Sequence, residues 1–285
     1  MSTKNFGVSE RNKHSILWIF VKGLAVIWLI IAGAPFVFQI LSSFKTQGEF
    51  ITSSLFDLPK RLYFENYISV LKGGFLRYFY NSLIVLSISL VLLLFISACA
   101  AYPLSRMKFR PNRFILGAIV AAMSIPIHIT LIPVFTMSIR LNLYDKVYAL
   151  IGPSIAFNLP MSVFILTTFM RGISKEMEEA AEMDGYGKFS SFFMIILPLS
   201  KSGLVPLAIY NGVMIWNDFL FAMLLLQTQK VRTLPLAIWE YQGQYAINIP
   251  IIMALLALSS LPLIVLYIIG QDKLIKGIMA GAVKG

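Results

Sequence analysis

Six apolar blocks govern what this chain can fold into. They lie at about Ser15–Leu41, Asn81–Pro103, Phe114–Ser138, Val147–Met170, Ser202–Leu226 and Ile249–Gly270. Each supplies the roughly 20 residues that a helix needs to cross a bilayer. The blocks are apolar nearly all round, so they leave no polar side for a soluble amphipathic helix. Lipid offers the backbone no partners, and a helix satisfies its own N–H and C=O groups. The expectation is an all-α, polytopic membrane protein with six transmembrane helices. Composition agrees: 58% of residues are hydrophobic and 13% charged, where a soluble domain carries about a quarter charged. The first block is too long for a signal peptide and no small-residue cleavage site follows it, so it is expected to remain as a helix.

The net charge of +11 raises the question of nucleic acid. Lys and Arg sit at block ends, where they meet lipid headgroups. No basic run with interleaved aromatics occurs outside the blocks, so membrane lipid is the expected partner and nucleic acid is not. The N-terminal segment through Lys22, the 104–113 and 171–201 loops and the C-terminal tail hold 15 Lys and Arg; the segments 42–79, 139–146 and 227–248 hold 9. The positive-inside rule then places both termini in the cytoplasm. This gives a cytoplasmic tail over 1–14, a membrane domain over 15–270 with a cytoplasmic loop at 171–201, and a cytoplasmic tail over 271–285.

Little in the chain suggests chemistry of its own. Cys99 is the single cysteine and lies inside the second block. No His/Cys/Asp/Glu set has metal spacing, no glycine loop resembles a phosphate cradle and no nucleophile–base pair stands out. No cofactor is expected. His128, two residues after Pro126, has no second titratable group nearby, which favours a packed or interfacial histidine over a proton relay. Pro126, Pro133, Pro153 and Pro160 interrupt blocks three and four; they read either as gating kinks or as prolines that a membrane helix tolerates. In the 42–79 segment, Phe64–Leu71 is expected to form a short helix at the membrane surface, bounded by Pro59 and Gly73-Gly74.

Acid is concentrated at one point. Five of the 13 acidic residues lie between Glu176 and Asp184, in EMEEAAEMDGYG. Glu176 to Asp184 are helix formers, and acids at a helix start complement its dipole. Gly185 offers a left-handed stop. Met177, Ala180, Ala181 and Asp184 fall on one face, with Glu178 and Glu182 beside it. A small-residue face flanked by acids suits a basic groove on another surface. The following FSSFFMIILPL, Phe189–Leu199, is apolar enough to lie under the membrane.

These residues carry a resemblance. Glu179-Ala180-Ala181, three residues, Gly185, nine residues, Ile195, one residue and Leu197-Pro198 reproduce the pattern of the EAA loop of ABC importer permeases. AYPLSRMKF at 101–109 resembles the Ala-Tyr-x-Leu-x-Arg run after the second span of sugar permeases, and WNDFLFAMLLL at 216–226 and GIMAGAVKG at 277–285 look like the same group. From about residue 15 onward the chain resembles the carbohydrate-uptake branch, and within it the second membrane subunit of the maltose transporter. Pro103 and Lys201-Ser202-Gly203 depart from the pattern without touching its anchors. The resemblance implies a bacterial cytoplasmic membrane, a second permease subunit, separate ATP-binding subunits that hydrolyse ATP, and an extracellular solute-binding protein that delivers a carbohydrate. It implies that Glu179, Ala180, Ala181, Asp184 and Gly185 dock in an ATPase cleft. The chain itself is then no enzyme. A permease for peptides, amino acids or polyamines is the alternative; a secondary transporter would show intramembrane charges or inverted repeats, and neither stands out.

Two further sets follow. At 100° per residue, Tyr210, Asn211, Met214, Asn217, Asp218 and Phe221 fall within an arc of about 120° on block five. Such a stripe suits sugar hydroxyls and apolar sugar faces, with Trp216 on the other side toward lipid or a neighbouring helix; a packing role for Asn217 and Asp218 stays open. In the 227–248 loop, Trp239, Tyr241 and Tyr245 surround Gln242-Gly243-Gln244. Aromatics there form a headgroup belt or, as the resemblance implies, a loop that reaches into the docked binding protein.

Overall fold

The computed structural model describes residues 6–241 and 248–282. Fourteen helices account for most of the described residues, which include no strand: α1 (Phe6–Ser43), α2 (Gln47–Thr52), α3 (Glu65–Lys72), α4 (Phe75–Arg106), α5 (Asn112–Ala122), α6 (Leu131–Arg140), α7 (Ile151–Arg171), α8 (Glu176–Met183), α9 (Lys188–Ser191), α10 (Leu197–Leu199), α11 (Lys201–Trp216), α12 (Leu220–Leu225), α13 (Leu234–Tyr241) and α14 (Ile249–Ala282). Three helical stretches are long and apolar enough to cross a membrane: Trp18–Ser43, Phe75–Arg106 and Val147–Arg171. Two bent pairs raise the number to five if each pair is one span. The sixth block falls in α14, where Ile249–Val265 is a shorter apolar stretch.

The chain divides into two compact units, residues 1–73 with 241–258 and residues 74–240 with 259–285. In the first, α1 exposes its apolar side chains, Trp28 to 71%. After α1 the chain is held by hydrogen bonds and by the Phe44 ring packed against Phe64 and Tyr67. The Ser43 hydroxyl and the Tyr67 hydroxyl are 2.7 Å apart, and Asn66 Nδ2 donates to Ser43 O and Lys45 O at 2.8 Å. Lys45 is buried, and its Nζ donates to Ser53 Oγ at 2.9 Å and Ser54 O at 3.2 Å. The surface helix expected over Phe64–Leu71 is α3, shifted by one residue.

In the second unit α4 packs along α7, and both meet α11. Small side chains are prominent among those the two helices bury, Ser89, Ser97, Ala98 and Ala101 of α4 and Ser154, Ser162 and Thr167 of α7, beside larger ones such as Leu166 and Met170. Lipid tails are as apolar as leucine, so helices associate in lipid by close approach, which small residues permit. Gly203 of α11 sits tight against α7: a Cβ there would lie 2.7 Å from the Phe169 ring.

Two of the expected spans are not continuous helices. Block three breaks after α5, and Asn112–Ala122 meets Ile127–Arg140 at 92°. Pro126, which lacks an N–H, is extended at the break, and a tight turn over Ile127–Thr130 leads into α6. Pro133 and Pro153 instead sit in the first turns of α6 and α7, where backbone N–H groups have no helical partner anyway. Pro160 lies inside a continuous α7. Only Pro126 of the four marks a break. His128 is exposed on that turn.

Block five breaks at Asn217. Asn217 Nδ2 donates to Val213 O at 2.8 Å, and Asp218 Oδ1 accepts from the Phe221 N–H at 3.2 Å. These side chains compete with the backbone for its own partners and so end one helix and start the next. The preceding stretch Lys188–Leu199 meets α11 at 69°.

The turn after α6 is clamped to the segment after α12. Asp145 is in a left-handed conformation with φ 57°. Its N–H donates to Leu225 O at 2.9 Å, and its Oδ1 accepts from the Gln227 and Thr228 N–H groups at 2.8 and 2.9 Å. Desolvation works against the charge, but the two N–H groups, the Thr228 hydroxyl and Arg232 outweigh it and hold the carboxyl below its ordinary 3.8. A lowered folded-state pKa means that the carboxylate stabilises the fold above 3.8 and loses that contribution as pH falls through the lower folded value. Asp145→Asn is therefore expected to melt at a lower temperature than the parent near neutrality. The gap should close as both are titrated below that range, and a gap that persisted at low pH would count against the clamp.

Candidate functional site

The acidic segment forms α8, with Glu176, Glu178 and Glu179 in its first turn. Its end has a specific geometry. Gly185 sits at φ +86°. Its N–H donates to Glu182 O at 3.1 Å, and the Tyr186 N–H donates to Ala181 O at 2.9 Å. This pair of bonds is a Schellman ending, which needs a left-handed residue and strongly favours glycine. Gly185 is open to solvent on the side where a Cβ would project, so backbone conformation alone fixes its identity.

One side of α8 is tied to the end of α4. The Tyr102 hydroxyl donates to Glu178 Oε1 at 2.7 Å and lies 3.2 Å from Lys188 O. Arg106 Nε lies 3.7 Å from Glu178 Oε2, and its Nη2 donates to Ile173 O at 2.8 Å. The Arg106 and Glu178 side chains are only 3% and 15% exposed. Behind this contact Tyr102 meets Phe192 with ring centroids 5.0 Å apart. Both belong to a core with Ala98 and Ala101 of α4, Leu166 and Met170 of α7, Ile196 and Leu207. Phe192–Ile196 is a π-helical turn, a local widening of the helix frequent at functional sites. Movement of α8 therefore bears on α4, α7 and α11 through one packed cluster.

This corrects the sequence-based picture of the helix face. Ala181 is buried within its own chain, while Glu179, Ala180 and Asp184 are exposed. Glu178 is spent on Tyr102 and Arg106 rather than offered outward. The exposed side adds apolar residues that spacing did not single out: Met183 is 90% and Phe189 77% exposed, and Met177 and Tyr186 are also open. Tyr102 and Arg106 were legible only as part of the run at 101–109; no local pattern links them to a helix some seventy residues away.

The stripe on block five is split by the break at Asn217. Tyr210, Met214 and Asn217 are exposed and Asp218 is half-buried, but Asn211 and Phe221 are buried. Asn211 Nδ2 donates to Ser162 Oγ at 2.9 Å and ties α11 to α7, and the Phe221 ring packs on Phe157. The arc assumed one continuous helix, which the side-chain bonds of Asn217 and Asp218 prevent. Trp216 is buried edge-on to Phe79, and its Nε1 donates to Ser259 O at 3.2 Å. Gln242, Gly243, Gln244 and Tyr245 lie outside the described residues, as do the side chains of Trp239 and Tyr241.

Residues 93–279 match the family model of the binding-protein-dependent transport system inner membrane component. The chain is 48% identical to a protein of Caldicellulosiruptor sp. (strain Rt8B.4) named as an ABC transporter permease, over 96% of this chain and 98% of that one. It is 32% identical to the melibiose/raffinose/stachyose import permease protein of Bacillus subtilis (strain 168), over 88% of this chain and 91% of that one. In fold it is similar to a chain of a bacterial ABC transporter involved in the import of the acidic polysaccharide alginate, with a TM-score of 0.77, 23% identity, and coverage of 95% of this chain and 99% of that one. Family match, near full-length similarity and a multi-pass helical fold converge: the chain belongs to the inner membrane components of binding-protein-dependent transport systems, the non-catalytic permeases of ABC transporters.

Proposed function

We propose that the chain is a membrane-spanning permease subunit of an ABC importer for a carbohydrate, an oligosaccharide in size, moved inward by alternating access. A relative named for melibiose, raffinose and stachyose import, similar over 88% of this chain, supports sugar over peptides, amino acids or polyamines. The proposed topology has six spans within residues 15–270 and both termini cytoplasmic. Its sixth span runs along α14, and its bent pairs each count once. The proposed partners are a second permease, ATP-binding subunits and an extracellular solute-binding protein, with Gln242, Gly243 and Gln244 in the loop that meets the last.

The observation that carries the coupling mechanism is α8, fixed on one side to the end of α4 and open on the other. On this reading Glu179, Ala180 and Asp184, with Met177 and Met183 beside them, dock in an ATPase cleft. Ala181, Glu178 and Gly185 set the helix in place. ATP-driven closure below moves α8, and the Tyr102–Glu178–Arg106 contact carries that movement into α4. Tyr210, Met214 and Asn217 face the translocation pathway, with Asp218 at its edge; Asn211 and Phe221 support it from behind.

Reconstituting the assembled importer in vesicles tests coupling. Gly185→Val puts a β-branched residue in a left-handed turn, a strain of about 1–3 kcal/mol. It is expected to leave the subunit in the membrane and abolish uptake. Tyr102→Phe deletes one hydrogen bond, so uptake should fall roughly two- to tenfold while binding-protein-stimulated ATP hydrolysis falls less. Normal uptake by both variants at normal expression would remove α8 from the mechanism.

The pathway is tested by single cysteines in a Cys99→Ala background, treated with a water-soluble thiol reagent. Positions 210, 214 and 217 are expected to react, and 211, 216 and 221 to stay silent. Protection of the first three by transported sugar would add direct contact. Labelling of the second set with silence of the first would put the pathway on another face.

A further inference from the structure

We propose that the basic pocket between the ends of α4 and α7 and the start of α5 binds the phosphate headgroup of an anionic phospholipid. The pocket encloses about 850 Å³, within the size range of small-molecule sites. Arg106, Lys108, Arg110, Arg113, Arg171 and Lys175 line it, and no acidic side chain does. Arg106 is engaged by Glu178 and Ile173 O, and Arg171 Nη2 donates to Leu104 O at 3.3 Å. Lys108, Arg110, Arg113 and Lys175 form no ion pair among the described residues. Four unpaired cations around one cavity repel one another, and a bound anion relieves that repulsion.

Position identifies which anion is at hand. Arg113 lies in the first turn of α5, and the next residues, Phe114 and Ile115, are 79% and 38% exposed. Within one helical turn the surface passes from cations to hydrocarbon-facing side chains. That boundary is the depth of lipid phosphates. Leu104, Met107 and Leu116 give the pocket an apolar wall, so a phosphate that brings acyl chains gains burial that a free phosphate does not. Asn112 Nδ2 donates to Leu104 O and Met107 O, both at 3.2 Å, and holds the 107–111 loop in the shape that gathers the cations. Basic pockets at the cytoplasmic ends of membrane helices take phosphate headgroups by this combination. The leaflet follows from the orientation proposed above; the binding itself does not depend on it.

Native mass spectrometry of the assembled importer, released from nanodiscs of phosphatidylglycerol and phosphatidylcholine, tests the site. The parent is expected to retain phosphatidylglycerol through delipidation. The triple variant Lys108→Gln, Arg110→Gln, Arg113→Gln should bind it about a hundredfold more weakly, at the contribution typical of each basic residue near an anionic surface. Arg140→Gln, a cation at the end of α6 outside the pocket, should match the parent. Folding of the triple variant is checked by its assembly and melting. Equal retention by parent and triple variant would overturn the proposal, and so would equal retention of phosphatidylcholine. Inorganic phosphate is the second arm, added to the parent in pure phosphatidylcholine: saturable binding that the triple variant loses, with no preference for phosphatidylglycerol, would assign the pocket to a soluble phosphate and overturn the lipid. Lipid-independent cross-linking of a cysteine at position 110 to an ATPase subunit would show the pocket covered by protein and overturn it as well.

Discussion

A backbone N–H or C=O held away from water without a partner costs several kcal/mol in hydrocarbon, and the architecture of this chain follows from where that cost is met. In α4 and α7 the helix meets it alone, which frees the side chains to be small and lets the two helices approach closely. Where a helix stops, side chains or special backbone conformations must meet it instead. Asn217 and Asp218 do so between α11 and α12. Asp145 does so for the segment after α12, and the Schellman bonds that Gly185 and Tyr186 make to Glu182 and Ala181 do so for α8. Each place where the chain departs from a straight span is marked by a polar residue, a proline or a glycine with a definable task.

The same constraint explains why the buried polar residues lie where they do. Asn211 and Ser162 bond each other between α11 and α7, and Ser162 in turn donates to Asn158 O. Such bonds between membrane helices contribute on the order of 1 kcal/mol each, so they fix which faces meet more than they hold the bundle together. Tyr102, Glu178 and Arg106 belong to a different case. Their contact lies at the edge of the bundle and combines a charge with a short hydrogen bond. Removing one partner would strand a largely buried charge, an expensive outcome. The contact therefore fixes the position of α8 against the end of α4.

Blocks one, two and four, the α8 helix and its glycine stop were legible in the sequence because each is a local pattern: apolar run length, helix propensity with acids at the start, a glycine at a fixed offset. The breaks in blocks three and five were not, because hydropathy averages over Pro126 and Asn217-Asp218 as it would over any short polar interruption. The stripe from Tyr210 to Phe221 inherited that error, since a 100° period holds only while the helix does. The division of the acids was illegible for another reason. Whether Glu178 faces outward or inward depends on Arg106, which is distant in the chain, and periodicity along α8 carries no information about it.

The two uses of basic residues around the end of α4 follow from one geometric fact. Arg106 turns inward to Glu178, while Lys108, Arg110 and Arg113, a few residues on, have no acid to meet. The C-cap at Met107 is extended, with ψ 140°, so the chain leaves the helix there and the next cations fan out along the loop instead of stacking on a helix face. A continuous helix would have set Arg106, Arg110 and Arg113 along one side at i, i+4 and i+7. Ending α4 at Arg106 leaves that arginine bonded to Glu178 and Ile173 O at the rim of the pocket, while Lys108, Arg110 and Arg113 line the same pocket with no ion-pair partner among the described residues.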